Sequence, residues 1–120
     1  MSNERLVYLD NNATTRVAPE VVEAMLPCLT EHWGNPSSAY DLANAPARMI
    51  AEAREQVAKL IGADPRNIVF TSCGTESNNA AIQSALHCNP TKRHVITSAV
   101  EHSANIKFCR QLEKRGYEAT

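Results

Sequence analysis

Apolar residues in the second half of the chain alternate between short β-branched runs and longer stretches with helical spacing. Ile68-Val69-Phe70 sits in a strand predicted over residues 67–72, and a helix is predicted over 75–87, closed by Pro90. His94-Val95-Ile96-Thr97-Ser98 reads as a second strand. Ile106, Cys109 and Leu112 then recur at helical spacing up to Gly116, and Tyr117-Glu118-Ala119-Thr120 looks like a third strand beginning.

The first half is patterned differently. Leu6-Val7-Tyr8-Leu9 predicts a short strand that ends in the polar turn Asp10-Asn11-Asn12-Ala13-Thr14-Thr15. Pro19 suits the first turn of a helix whose apolar face carries Val22, Met25, Leu26 and Leu29, and Pro27 is expected to kink or end it. Trp33-Gly34-Asn35-Pro36-Ser37-Ser38 has the composition of a loop. An amphipathic helix is predicted over 42–61. Ile50, Val57, Leu60 and Ile61 are apolar, Glu55 and Lys59 are paired, Pro46 lies in the opening turn and Gly62 forms the cap.

Strand, helix, strand, helix after Gly62 implies parallel strands joined by helical crossovers, an α/β sheet with helices on its faces. A parallel sheet of two or three strands is poorly covered, so the chain reads as the front portion of a larger enzyme. The expected organisation is an N-terminal strand and turn over 1–15, a helical segment over 16–62, and the truncated first part of an α/β domain over 63–120.

Composition narrows the functional classes. The 120 residues are 43% hydrophobic and 21% charged, within the range of a globular domain with a real core. Twelve basic residues face 13 acidic ones without long blocks of either sign, which argues against nucleic acid or an anionic membrane as a partner. No apolar run is long enough to span a bilayer. Cys28, Cys73, Cys88 and Cys109 form no CxxC pair and follow no secretory segment, so a reducing cytoplasmic location is expected. Cys28 with His32, and His87 with Cys88, have ligand-like spacing but no second clustered pair, and read as packing and surface residues; no metal site is expected.

The candidate chemistry lies at the ends of the predicted strands. In Thr71-Ser72-Cys73-Gly74-Thr75-Glu76-Ser77 a strand breaks at one glycine into a hydroxyl-rich helix start, which is how an anion cradle is built. Local pattern alone favours an ordinary strand-to-helix turn with a capping residue over any ligand site. GxGxxG and GxxxxGK[ST] are both absent, so a monophosphate fits better than a nucleotide. Glu101-His102-Ser103 follows the next strand, at the same carboxyl edge where α/β sheets bind ligands. His102 is thus a candidate site residue with a capping role as its structural alternative. Cys73 reads as a small buried or half-buried residue lining the turn, not a nucleophile.

Taken together, Tyr8-Leu9-Asp10-Asn11-Asn12-Ala13-Thr14-Thr15, Gly34-Asn35-Pro36-Ser37-Ser38, residues 68–78 and Val100-Glu101-His102 make the chain resemble the NifS/IscS-like cysteine desulfurases, pyridoxal-phosphate enzymes of the class-V aminotransferase group. The resemblance implies the N-terminal part of a type I pyridoxal-phosphate transferase fold, with a parallel-rich sheet flanked by helices and incomplete in this chain. It implies that Gly74 and Thr75 bind the phosphate of pyridoxal 5'-phosphate. It further implies that His102 lies against the pyridine ring, as a cofactor-binding and catalytic residue that assists proton movements. The implied activity takes sulfur from L-cysteine, leaving L-alanine and an enzyme persulfide for iron–sulfur cluster assembly, with a sulfur-acceptor or scaffold protein as partner and a homodimer as the full-length state.

Two departures limit what carries over. Relatives usually have a histidine two positions after Gly-Asn-Pro-Ser-Ser, where this chain has Tyr40. The Schiff-base lysine, the aspartate facing the ring nitrogen and the nucleophilic cysteine belong to later parts of the family's chain, so the 120 residues alone are expected to be inactive. Another class-V enzyme, such as a selenocysteine lyase, and a non-catalytic interaction module are the alternative readings.

Overall fold

The computed structural model describes residues 7–120, which fall into two compact units, one ending at Ile68 and the other spanning Val69–Thr120. Leu6, the first residue of the predicted N-terminal strand, lies outside the described residues. Val7, Tyr8 and Leu9 belong to no strand, and the predicted turn follows them, closed by the Ala13 N–H donating to the Asp10 carbonyl at 3.1 Å.

In the first unit, α1 spans Pro19–Thr30 and α2 spans Asn44–Ile61. Proline opens α1 where a missing N–H costs nothing, as predicted. Pro27, however, does not end the helix, which continues to Thr30; the Thr30 hydroxyl donates to the Leu26 carbonyl at 3.0 Å in that last turn. The predicted start of the second long helix also needs correction. Residues Asp41–Ala43 form a separate 3-10 turn, and the α-helix proper begins at Asn44 with Pro46 buried in its first turn. Gly62 ends α2 at φ 67°, a left-handed conformation that only glycine adopts without strain. Glu55 and Lys59 are not joined as an ion pair; Asp64 and Arg66 are, at 2.7 Å. The guanidinium beside Asp64 holds that carboxyl below the usual aspartate range.

Gly34 is buried against the 3-10 turn. A Cβ there would collide with the Leu42 carbonyl oxygen and come within 2.8 Å of its carbon and 2.9 Å of Leu42 Cγ. Backbone cannot yield as a side-chain tip can. Gly34→Ala is therefore expected to destabilise this unit by about 1–3 kcal/mol, read as a lower denaturation midpoint with an unchanged slope.

In the second unit, α3 spans Gly74–Cys88, β1 His94–Val95, α4 Ser103–Glu113 and β2 Glu118–Ala119. β1 and β2 pair in parallel, His94 opposite Glu118 and Val95 opposite Ala119, with α4 as the crossover. The hydrogen bonding runs slightly further, since the Thr97 N–H donates to the Thr120 carbonyl at 2.7 Å. Cys109 and Leu112 on the inner face of α4 are buried. The Arg93 guanidinium lies 4.5 Å from the centre of the Tyr117 ring and donates to the Arg115 and Gly116 carbonyls, which ties the start of β1 to the turn at the end of α4.

The strand predicted over 67–72 does not form. Residues 65–67 make a 3-10 turn, Ile68 is extended, and 68–71 are assigned to no strand. The Ile68 carbonyl instead accepts from Arg54 Nε at 3.1 Å. β-branched residues favour the pleated conformation, but a ladder needs a neighbour, and β1 pairs with β2. Apolar faces are correspondingly uncovered among the described residues. Leu60, Ile96 and Val100 are 85%, 80% and 92% exposed, and no residue of α1 is buried. No described helix is long and apolar enough to cross a membrane.

Candidate functional site

The carboxyl end of segment 68–71 turns into α3 through a tight set of hydrogen bonds. The Glu76 carboxylate folds back to accept from the Ser72 N–H at 2.7 Å and the Ser72 hydroxyl at 2.6 Å. On the other side of the turn, the Thr71 and Ser77 hydroxyls lie 2.5 Å apart and both reach the Cys73 carbonyl, at 3.2 and 3.3 Å. Two hydroxyl protons serve these three oxygens, one linking the pair and the other going to the carbonyl.

This arrangement leaves the front of α3 open. Cys73 stands at the N-cap without a side-chain hydrogen bond of capping geometry, so the first N–H groups of the helix meet only its weakly accepting sulfur. A Cβ at Gly74 would meet nothing within 4 Å, and the Thr75 side chain is exposed. Glu76 puts a negative charge near this positive helix end, yet both of its described hydrogen bonds go to Ser72, behind the first turn.

Cys73 itself is exposed, which corrects the sequence reading of a buried or half-buried thiol. The Glu76 N–H, followed by the Ser72 hydroxyl, holds the thiol below the ordinary cysteine range. Ser72 Oγ is 3.7 Å from the sulfur but has one proton, and the shorter bond to Glu76 claims it. The lowered pKa therefore rests mainly on the helix amides.

The Glu76 carboxyl is held below the usual glutamate range by the Ser72 hydroxyl and then by the Ser72 N–H. A carboxyl with a depressed folded-state pKa contributes stability above its unfolded pKa and loses it as pH falls through the folded value. Amide exchange at Ser72, measured downward from neutral pH and corrected for intrinsic rates, is thus expected to lose protection only below the ordinary glutamate pKa of about 4.3. Glu76→Gln should remove that acid transition.

β1 leads by the loop over 96–102 to the second candidate. His102 is the N-cap of α4, its Nδ1 accepting from the Ala104 N–H at 3.2 Å, which leaves the proton of the neutral ring on Nε2. The imidazole is exposed. The capping alternative raised by the sequence is thus realised, and it leaves the ring and Nε2 free for a ligand. Asn78, one turn into α3, donates to Asn105 Oδ1 at 3.2 Å, and Asn105 donates to Glu101 Oε2 at 2.9 Å. The first turns of α3 and α4 are bridged in this way, which brings the Gly74-Thr75 turn and His102 into one neighbourhood.

The profile of the class-V aminotransferases matches residues 7–120. The chain belongs to the class-V aminotransferase family. It is 56% identical over 115 residues to a cysteine desulfurase of Trichormus azollae, an alignment covering 96% of this chain and 29% of that protein. A solved NifS-like protein superposes with a TM-score of 0.87 at 39% identity, over 95% of this chain and 32% of that one. The structure of SspA in complex with cysteine superposes at 0.86 and 39% identity, over 94% and 33%. This class-V chain thus spans about 29% of the length of the curated relatives it matches.

Gly74 and Thr75 open α3, and His102 caps α4. The Glu76 clasp and the Asn78–Asn105 bridge were missed. Cys73 and Glu76 do carry the N-cap to N3 spacing of a capping box, which was the available signal. The bridge has no sequence signal, because its residues are 27 positions apart. Tyr40, at the position where a histidine was expected, precedes the 3-10 turn, and its carbonyl accepts from the Ala43 N–H at 3.0 Å. A surface hollow in this unit lies elsewhere, between the far half of α3 and Leu112, Arg115 and Tyr117.

Proposed function

We propose that this class-V chain supplies the phosphate cradle and the ring-facing histidine of a pyridoxal-phosphate-dependent cysteine desulfurase. The observation that carries the reading is the uncapped start of α3 at Gly74 and Thr75, bridged through Asn78 and Asn105 to the turn presenting His102. The donor set fits the cofactor. Backbone N–H groups at the positive end of a 15-residue helix, with an adjacent hydroxyl, suit a phosphate dianion, and glycine keeps the approach clear. When bound, pyridoxal phosphate supplies an electrophilic carbon and an electron-withdrawing ring.

The chain's own residues would hold and orient that group. The Gly74 and Thr75 N–H groups and the Thr75 hydroxyl would take the phosphate. His102 would lie against the ring, and its Nε2 proton, free because Nδ1 is engaged with Ala104, is the one it could exchange. Relatives named cysteine desulfurase support L-cysteine as substrate, with alanine as the carbon product and a persulfide passed to an acceptor or iron–sulfur scaffold. A full-length homodimer belongs to the same reading. All four cysteines are free thiols, in keeping with a reducing cytoplasmic setting.

Titration of the full-length protein with pyridoxal phosphate, followed by visible absorbance, tests the cradle, and cysteine-dependent release of sulfide and alanine tests the activity. Full-length protein that takes up no cofactor overturns the proposal. The 120-residue chain alone is expected to release no sulfide.

A further inference from the structure

The Asn78–Asn105–Glu101 chain of hydrogen bonds joins the two halves of the candidate site. Glu101 ionised can only accept, so the Asn105 atom facing it must be the amide nitrogen. That orients Asn105 Oδ1 toward α3, where only the donor end of the Asn78 amide can meet it. The Glu101 charge therefore fixes the polarity of the whole chain. Glu101 is also the residue before His102, and the His102 ring is held on its other side by the Ala104 N–H. The ring is thus constrained from its own helix and, through Asn105, from the helix that carries Gly74 and Thr75.

We propose that Asn105 is a positioning residue, which sets the His102 imidazole in register with the α3 N-terminus so that one ligand meets both. The proposal rests on the pyridoxal-phosphate reading above. Asn105 touches neither ligand nor reacting atoms; it acts through Glu101 and Asn78.

The test uses the full-length protein and three variants, N105D, E101Q and the double variant E101Q/N105D. N105D sets two carboxylates against each other. The double variant restores a donor at position 101 for the carboxylate introduced at position 105, which can still accept from Asn78. E101Q alone keeps an acceptor for Asn105. Pyridoxal phosphate affinity is measured by absorbance titration, the orientation of the bound ring by the visible circular dichroism it acquires, and the stability of the cofactor-free protein by thermal unfolding.

N105D is expected to weaken binding about five- to tenfold and to lose most of the visible dichroism, and E101Q, which keeps an acceptor but loses the charge that fixes the polarity, to fall between N105D and wild type. E101Q/N105D is expected to return the affinity to within about twofold and to recover the dichroic band. A merely structural role would move the unfolding temperature without altering the band of the protein that remains loaded. Wild-type affinity and dichroism in N105D overturn the proposal. So does a double variant no better than N105D, and that comparison decides the matter if N105D alone fails to fold. Wild-type protein that binds no pyridoxal phosphate overturns the cofactor reading and this inference together, whereas normal wild-type binding with an unaffected N105D overturns this inference alone.

Discussion

Gly74→Asp in the full-length protein is expected to lower pyridoxal-phosphate affinity by at least about 100-fold while leaving the fold as stable as before, or slightly more so. The two effects separate because the position has opposite meanings for helix and ligand. Gly74 is the first residue of α3, its φ is not in the left-handed region, and an added Cβ meets nothing within 4 Å. A carboxylate there favours the helix by about 0.3–1 kcal/mol through the macrodipole, and replacing glycine reduces the freedom of the unfolded chain. The same carboxylate stands where the phosphate would bind, and juxtaposing like charges costs several kcal/mol, hence the factor of 100 or more. Equilibrium titration against thermal unfolding checks it. Full affinity in the Gly74→Asp protein would show that the phosphate binds somewhere else.

His102→Asn is expected to cut cysteine turnover by about 100- to 1,000-fold, the range for a positioned acid or base, with little change in stability. Asparagine is chosen because it is among the best N-cap residues, so the Ala104 N–H keeps an acceptor and α4 its cap. What disappears is the flat ring and the Nε2 proton. His102→Ala removes the cap as well and should cost a further ~1 kcal/mol of unfolding free energy. Comparison of the two variants by turnover and by denaturation divides the capping from the chemical role. Wild-type turnover in His102→Asn would leave the residue a cap and nothing more.

Most helices were legible because their signals are local. Pro19 at the start of α1, Gly62 at the end of α2, Pro90 beyond α3 and Gly116 beyond α4 each act through φ, or through a missing N–H, within a few residues of their own position. Of the kink or end expected at Pro27, the end does not occur. The cost of proline inside a helix is local, and α1 absorbs it and runs on to Thr30. The segment over 68–71 was misjudged for the opposite reason, since its residues favour an extended backbone but no strand among the described residues pairs with it.

By itself the sequence determined the four helices to within a few residues at their ends, the parallel order of β1 and β2, and the two candidate turns, because glycine, proline and apolar spacing restrict the backbone locally. Only the tertiary structure decided what those turns do. The fold-back of Glu76 onto Ser72, the exposure of Cys73, the use of His102 Nδ1 as a cap and the bridge from Asn78 to Asn105 depend on side-chain rotamers and on which helices come together. Hydrogen bonds need donor and acceptor within about 3 Å of each other. For residues far apart in the chain, spacing along the sequence carries no such distance, and the folded backbone supplies it.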